Sequence, residues 1–187
     1  MCDVPGLLPF DHALRTWIVT HRIGALDGVM WGLSAVGRGG LIWILLVVAL
    51  VALGRVRLIG LVSVLLALLL ATLVADHLLK PVINRTRPFI AAPRVEVIGK
   101  RPNDSSFPSG HSTNAFAAAY VLSVVAAEPA ILWWALAAAI AYSRVYLGVH
   151  YPLDVIGGAL IGIVCGALVV AVPRDRGSPS PGTRRAK

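Results

Sequence analysis

The segment LIGLVSVLLALLLATLVADHLL, residues 58–79, decides the fold of this chain. It runs for 22 residues with a single acidic side chain, Asp76, near its end. A helix needs about 20 predominantly apolar residues to cross the hydrocarbon core of a bilayer, so this segment can cross alone. Backbone polar groups that face lipid must pair within their own segment, and this requirement favours helices over open sheets.

The composition extends this interpretation to the whole chain of 187 residues, which is 57% apolar and 14% charged. We therefore predict an all-α, polytopic transmembrane helix bundle over residues 25–172. The break Gly-Arg-Gly-Gly at 37–40 leaves open whether residues 25–53 form one broken helix or two separate ones, and we favour two. The count is then six spans, and the others are 58–79, 111–127, 130–146 and 153–172.

The two ends of the chain differ from this bundle. In residues 1–24, Phe10, Leu14 and Trp17 recur at helical spacing with charges between them, which predicts an interfacial amphipathic helix. Residues 173–187 are basic and rich in Gly, Pro and Ser, which predicts a disordered tail. Attraction to anionic lipid headgroups explains that tail better than nucleic-acid binding does.

Three polar motifs interrupt the apolar pattern. They are Lys80-(six residues)-Arg87-Pro88, then Pro108-Ser109-Gly110-His111, then Ser143-Arg144-(five residues)-His150-(three residues)-Asp154. Because successive spans run in opposite directions, the four span ends that carry these motifs fall on one face of the membrane. We therefore expect the motifs to converge into one site.

His150 and Asp154 have the chemistry of a nucleophile with an orienting partner. Pro152 suits the first turn of a helix, so Asp154 falls in that turn and can reach back toward His150. A carboxylate that accepts one ring N–H fixes the tautomer and leaves the other nitrogen free to attack phosphorus. The alternative is a helix-capping aspartate beside an interfacial histidine, which fits either residue taken alone.

Ser109, Gly110 and His111 open the span that follows. Ser109 is predicted to cap this helix, and Gly110 lets an anion approach the free backbone N–H groups. His111 can protonate a departing oxygen as general acid. Simple helix capping explains the same residues, so this motif is weak when taken alone.

Lys80, Arg87 and Arg144 form the predicted phosphate clamp. Cations on the non-bridging oxygens stabilise the charge of phosphoryl transfer. Snorkelling of a long basic side chain toward the interface is an equal alternative for Lys80. Other basic residues of the same loop are interpreted as solvated, namely Arg85, Arg94, Lys100 and Arg101.

Together, the three motifs resemble those of the type-2 phosphatidic acid phosphatase superfamily at every motif position, and the resemblance covers residues 58–172. It implies a membrane phosphatase in which His150 forms a phosphohistidine, Asp154 orients it and His111 protonates the leaving group. It also implies a set of phosphate-binding residues: Lys80, Arg87, Ser109, Gly110 and Arg144.

The resemblance further implies hydrolysis of a lipid phosphate or diphosphate without a metal or another cofactor. Polyprenyl diphosphates such as undecaprenyl diphosphate are the favoured substrates, and phosphatidylglycerol phosphate and phosphatidic acid are alternatives. Two other functions stay open, namely a lipid phosphotransferase with the same intermediate and a non-catalytic binder or transporter of anionic lipids. The presence of both histidines with Asp154 favours catalysis, because a binder needs only the clamp.

The net charge of +8 bears on orientation. Arg55, Arg57 and the basic tail are predicted on the face opposite the motifs, and positively charged loops mark the cytoplasmic side. We therefore expect a multi-pass protein of the cell membrane with its active site on the extracytoplasmic face.

Overall fold

The computed structural model describes residues 7–92 and 96–172, and these residues form helices and no strands. The helices in these ranges are α1 (Leu7–Thr20), α2 (Gly24–Gly37), α3 (Leu41–Ala52), α4 (Leu58–Thr72), α5 (Lys80–Ile83), α6 (Pro88–Ala91), α7 (Gly110–Val125), α8 (Ala130–Tyr146) and α9 (Pro152–Ala171). The predicted disordered tail at 173–187 and Arg94 lie outside the described residues.

The helices follow the apolar segments of the sequence closely. Helix α8 has the predicted bounds, while α7 and α9 each begin one residue earlier than predicted. Three helical stretches are long and apolar enough to cross a membrane, and α8 is a shorter apolar helix. Those three stretches are Gly24–Ala52, Leu58–Ala91 and Pro152–Ala171. The predicted all-α class is confirmed.

Helix α2 packs against α8, and α3 continues from α2 and packs against α4 and α7. The carbonyl of Ile23, just before α2, accepts a hydrogen bond from the hydroxyl of Tyr146 at the end of α8. Beyond α3, Arg55 forms a 2.9 Å ion pair with Glu128, just before the start of α8. A 3₁₀ turn with positive φ at Gly39 separates the two helices. The expectation of six spans counted them separately, whereas these contacts join them into one broken length of 29 residues.

Helix α4 continues into α5 through a π-helical turn, Leu73–Leu79. Such turns widen a helix locally and recur at functional sites. This turn carries Asp76, whose carboxylate lies 2.6 Å from the Nζ atom of Lys80 at the start of α5. The first motif therefore begins where the longest apolar segment of the chain becomes polar.

Helix α7 lies at the centre of the bundle and packs against α4, α8 and α9. Its small residues Ala115 and 117–119 are buried, as the prediction of close helix contacts required. Along α9, Gly158, Gly162 and Gly166 face the backbone of α7, and a Cβ atom at any of them would overlap it. This close contact joins α7, which begins with the second motif, to α9, whose first turn carries the last residue of the third motif.

Helix α1 packs across the motif-bearing ends of α8 and α9. Asp11 and Arg15 are buried against the bundle, whereas Phe10 and Trp17 are exposed. The charged face of α1 therefore turns toward the protein and part of its apolar face turns outward. An amphipathic helix at a membrane interface would use that outward face to contact lipid.

Candidate active site

A cavity of about 230 Å³ lies at the motif-bearing end of the bundle, and we call it the motif cavity. It brings together six of the eight predicted site residues: Lys80, Arg87, Gly110, His111, Arg144 and His150. The predicted convergence of the three motifs is therefore present in the structure. Ser109 and Asp154 are fully buried and do not line the cavity.

His150 is held so that one ring nitrogen faces the cavity. Its Nδ1 lies 2.8 Å from the carbonyl oxygen of Ser106 and 3.5 Å from a carboxylate oxygen of Asp154. Because a carbonyl can only accept, Nδ1 carries the hydrogen and Nε2 keeps its lone pair. Nε2 lies 3.3 Å from a guanidinium nitrogen of Arg87. The nearest acceptor for the Nδ1–H of His150 is thus the backbone carbonyl of Ser106, and the predicted partner, the carboxylate of Asp154, is farther away.

The short loop between α8 and α9 presents this ring. Gly148 adopts φ of +81°, which favours glycine, and its carbonyl accepts a 3.3 Å hydrogen bond from Arg15 of α1. Val149 also fixes the loop, because its carbonyl accepts a 2.9 Å hydrogen bond from Arg87. Residues from two distant parts of the chain therefore position the segment that carries His150.

Asp154 is the centre of a buried hydrogen-bond network. Its carboxylate accepts from the hydroxyl of Ser106 at 2.5 Å, the backbone N–H of Tyr151 at 2.9 Å and the guanidinium of Arg85 at 2.5 Å. The other terminal nitrogen of Arg85 binds Asp11 of α1 at 2.5 Å. The interpretation of Arg85 as a solvated loop residue is wrong, because this side chain is 8% exposed and bridges two buried carboxylates.

The surroundings of His150 also set its protonation. Burial lowers the pKa of His150, and the cations Arg87 and Arg144 lower it further, so that it falls to about 4 although Asp154 opposes the change. The ring is therefore neutral at physiological pH. A neutral imidazole with an unprotonated Nε2 is the form that attacks phosphorus, and in this structure Arg87 is the donor to that nitrogen.

His111 lies in the first turn of α7, across the motif cavity from this network. Its Nε2 lies 3.1 Å from the carbonyl oxygen of Ser34 in α2. The carbonyl again requires the hydrogen on this nitrogen, so Nδ1 is the atom that can gain and lose a proton. The hydroxyl of the same Ser34 contacts Arg144. One residue of α2 thus holds both side chains.

Arg144 is 8% exposed, and no carboxylate in the described part of the chain pairs with it. Its Nε is buried without a hydrogen-bond partner among those residues. Burial of an unpaired charge is costly unless an anion binds beside it. Snorkelling toward water does not explain this position, so the geometry favours the predicted clamp.

Lys80 and Arg87 are already paired with a carboxylate. Asp104 contacts the Nζ atom of Lys80 and lies 2.7 Å from a terminal nitrogen of Arg87. Although partial burial opposes ionisation, these two cations bring the pKa of Asp104 down to about 2. Asp104 therefore occupies part of the space in which these cations would bind a phosphate oxygen.

Ser109 does not make its predicted capping bond, whereas Gly110 lies at the cavity as predicted. Ser109 occupies the N-cap position of α7, but its hydroxyl makes no capping bond and has no partner among the described residues. Its backbone N–H donates to the carbonyl of Asp154 at 3.0 Å, so this N–H is not available to a phosphate. Gly110 lines the cavity, and a Cβ there would lie 3.1 Å from a carboxylate oxygen of Asp76.

Five residues around the cavity were not identified from the sequence: Asp11, Ser34, Arg38, Asp104 and Ser106. Ser106 and Asp104 lie within four residues of the second motif, and that proximity is a usable signal. The other three lie in the N-terminal third, where the sequence shows only a general apolar pattern. Their involvement depends on how α1 and α2 pack.

Comparison with known sequences agrees with this geometry. The family model described as PAP2 superfamily matches residues 60–178. The undecaprenyl-diphosphatase of Sulfolobus acidocaldarius is 35% identical over 158 residues, which cover 82% of this chain and 73% of that protein. The lipid A 4'-phosphatase of Porphyromonas gingivalis is 35% identical over 117 residues, which cover 57% of this chain and 49% of that protein.

Two crystal structures share the fold. LpxE of Aquifex aeolicus superposes with a TM-score of 0.74 at 33% identity, covering 84% of this chain and 93% of that one. The first transmembrane PAP2-type phosphatidylglycerolphosphate phosphatase from Bacillus subtilis superposes with a TM-score of 0.69 at 28% identity. That match covers 92% of this chain and 90% of that one.

Proposed function

This chain belongs to the PAP2 superfamily, and from that premise we propose that it hydrolyses a lipid phosphate or diphosphate through a phosphohistidine on His150. One observation carries the proposal. The unprotonated Nε2 of His150, the side chain of His111 and the cation Arg144, which pairs with no carboxylate among the described residues, meet at one cavity at the end of an apolar bundle. This arrangement fits the transfer of a phosphoryl group better than it fits binding alone.

The first step is attack by Nε2 of His150 on phosphorus. The P–N bond forms as the bond from phosphorus to the leaving oxygen breaks, and His111 gives that oxygen a proton. Asp154 stabilises the positive charge that develops on the ring of His150, while the carbonyl of Ser106 holds its Nδ1–H. Buried hydrogen bonds of this kind fix the orientation of a catalytic ring.

The second step returns the enzyme to its starting state. His111, now neutral, takes a proton from a water molecule that attacks the phosphorus. The P–N bond breaks, inorganic phosphate leaves, and the electron pair returns to Nε2 of His150. Transfer to an alcohol in place of water would use the same intermediate and is the alternative reaction.

The charge of the phosphoryl group is neutralised by Lys80, Arg87 and Arg144 together with the backbone at Gly110. These cations can perform the charge stabilisation for which other phosphatases use a metal ion. The two acidic side chains in the cavity, Asp76 and Asp104, are each paired with Lys80. The reaction is therefore proposed to be independent of metal.

The substrate is proposed to be a polyprenyl diphosphate such as undecaprenyl diphosphate. The similarity to an undecaprenyl-diphosphatase over 82% of this chain supports this choice. Phosphatidylglycerol phosphate and phosphatidic acid are the alternatives, and the structural similarity to a phosphatidylglycerolphosphate phosphatase favours the former.

The bundle is proposed to cross the membrane five times, with α2 and α3 sharing one crossing. This count replaces the expected six because α2 and α3 together extend from one end of α8 to the other. The motif cavity then opens on the side opposite Arg55 and Arg57, and because positively charged loops favour the cytoplasm, it is proposed to lie on the extracytoplasmic face of the cell membrane. Helix α1 is proposed to lie at that interface, with Phe10 and Trp17 in contact with lipid.

The test is phosphate release by the full chain in detergent, with EDTA present. The panel contains undecaprenyl diphosphate, phosphatidylglycerol phosphate and phosphatidic acid, and the His150→Ala variant is the control. We expect release from at least one lipid by the native chain and none by the variant. Release from no lipid would overturn the proposed function, and activity lost only with EDTA would overturn the metal-free step.

A further inference from the structure

A second cavity of about 460 Å³ adjoins the motif cavity, and we call it the adjoining cavity. The two share five lining residues: Arg38, Pro102, Asp104, His111 and Arg144. His150 lines the motif cavity but not the adjoining one, while Lys100 lines the adjoining cavity but not the motif cavity. The proposed nucleophile therefore borders only the motif cavity, whereas the proposed proton donor borders both cavities.

This division indicates where the leaving group lies. In phosphoryl transfer the attacking and leaving atoms lie roughly in line on opposite sides of phosphorus. His150 attacks from the motif cavity, and His111 gives its proton to the leaving oxygen from the wall between the cavities. The group attached to that oxygen therefore extends away from His150, into the adjoining cavity.

The adjoining cavity carries positive charge that the rest of the described structure leaves free. Arg38, Lys100 and Arg101 line it, and none of them pairs with a carboxylate among residues 7–92 and 96–172. Lys80 and Arg87 in the motif cavity, by contrast, both pair with Asp104. Arg144, which is nine-tenths buried and reaches both cavities, also lacks a carboxylate there.

The same cavity is apolar on one side, where Trp31, Ile98 and Leu147 line it. Arg38, Lys100 and Arg101 are exposed and can be hydrated, whereas Arg144 is buried. A neutral or purely apolar leaving group would bring an anionic partner to none of the four. A leaving group that combines a phosphate with an apolar chain would satisfy both kinds of lining. Charge-assisted hydrogen bonds from arginine and lysine are among the strong contacts that a phosphate can make.

We infer that the adjoining cavity binds the phosphate that stays on the lipid, so that the substrate is a lipid diphosphate. This inference rests on the proposed function. The bond between the terminal phosphorus and the bridging oxygen breaks, the bridging oxygen keeps the electron pair, and His111 protonates it. The product is a lipid monophosphate whose phosphorus lies beyond the reach of His150, so hydrolysis stops after one phosphate.

The test compares farnesyl diphosphate with farnesyl monophosphate, which have the same apolar chain. The double variant Arg38→Gln, Lys100→Gln is measured beside the native chain, and the ratio of kcat/KM for the two substrates is the readout. We expect the preference of the native chain for the diphosphate to fall at least fivefold in the variant. A ratio taken from one preparation does not depend on how much of that preparation is folded.

Arg55→Gln is the matched control, because Arg55 is an exposed arginine at the opposite end of the bundle. It should leave the ratio unchanged. An unchanged ratio in the double variant, or native hydrolysis of both phosphates in succession, would overturn the inference while the proposed function stands. If the native chain released phosphate from neither substrate nor from the lipid panel, the proposed function itself would fail.

Discussion

The two histidines of the motif cavity are held in very different ways. His150 belongs to a buried network that runs through Ser106 and Asp154 to Arg85 and Asp11 in the N-terminal helix. Within the described part of the chain, the side chain of His111 makes one hydrogen bond, to a backbone carbonyl of α2, and it lies in the wall between two cavities. This difference fits the proposed roles, because a nucleophile needs a fixed orientation and a proton donor needs access to the leaving group and to water.

The largest expected effects come from replacing each histidine and comparing substrates whose leaving groups do or do not need a proton. His150→Ala should lower kcat at least about 10³-fold on any substrate, since no bond to phosphorus can form. His111→Ala should lower kcat/KM about 10²- to 10⁴-fold on a lipid monophosphate such as phosphatidic acid, because its alkoxide leaving group needs the proton of a general acid.

On p-nitrophenyl phosphate the loss of kcat/KM in His111→Ala should be much smaller, because nitrophenolate leaves without a proton. The value of kcat should be low on both substrates, because the phosphohistidine is hydrolysed slowly when His111 is absent. Steady-state kinetics on the two substrates provide the measurement. An equal loss of kcat/KM on both substrates in His111→Ala would remove the distinction between the two histidines.

The next effect tests how far the network around His150 extends. Asp154→Asn should lower kcat about 10²-fold with little change in KM, because the charge beside the ring is lost and its orientation loosens. Asp11→Asn acts one step further away, through Arg85, and should cost about tenfold.

Asp27→Asn is the control for this network, because Asp27 accepts a hydrogen bond from Tyr146 at the same end of the bundle but outside the network. It should retain kcat. The interpretation of α1 as support for His150 would be wrong if Asp11→Asn retained native kcat as well.

The features of the fold and of the site that depend on local sequence pattern were predicted from the sequence. The apolar segments, the motifs and their convergence follow from composition, spacing and the alternation of spans. The network does not, because Arg85 is one of several basic residues in a loop that looks uniform in sequence. Only the packing of α1, which brings Asp11 to Arg85 across 74 positions, distinguishes it.

The break between α2 and α3 shows the same limit. The glycines at 37–40 predict an interruption, and either a turn or a kink satisfies that pattern. The contacts of Ile23 with Tyr146 and of Arg55 with Glu128 favour a kink within one continuous crossing over a turn between two crossings. Such contacts join residues more than 70 positions apart, so hydropathy carries no information about them.

A smaller effect concerns the carboxylate that already occupies the clamp. Asp104→Asn removes the charge that competes with phosphate for Lys80 and Arg87. Inorganic phosphate should then inhibit about three- to tenfold more strongly, as expected for a partly exposed ion pair.

Glu128→Gln is the matched control, because it removes an ion-paired carboxylate at the opposite end of the bundle. The inhibition constant for phosphate is the readout. Weaker inhibition in Asp104→Asn would mean that Asp104 organises the clamp and does not compete with its ligand.

The smallest effect is the position of the acid limb in the pH dependence of kcat/KM. Only neutral His150 attacks phosphorus, and its pKa is lowered to about 4 from the ordinary value of 6.5. Activity should therefore persist as the pH falls through 6.5 and decline only near 4.

The pH dependence of kcat/KM is measured with two substrates whose phosphate groups have different pKa values. An acid limb that comes from the enzyme lies at the same pH for both, whereas a limb that comes from the substrate shifts. A shared limb near pH 6.5 would show that the ring of His150 is not depressed by burial and by Arg87.

The most direct test of the central claim is capture of the phosphorylated enzyme. His111→Ala should form the intermediate rapidly from ³²P-labelled nitrophenyl phosphate and hydrolyse it slowly, because the base that activates water is missing. We predict an acid-labile, base-stable label on the peptide that contains His150, absent when His150→Ala is added. Turnover by the native chain with no labelled enzyme, or with the label on another residue, would contradict the account.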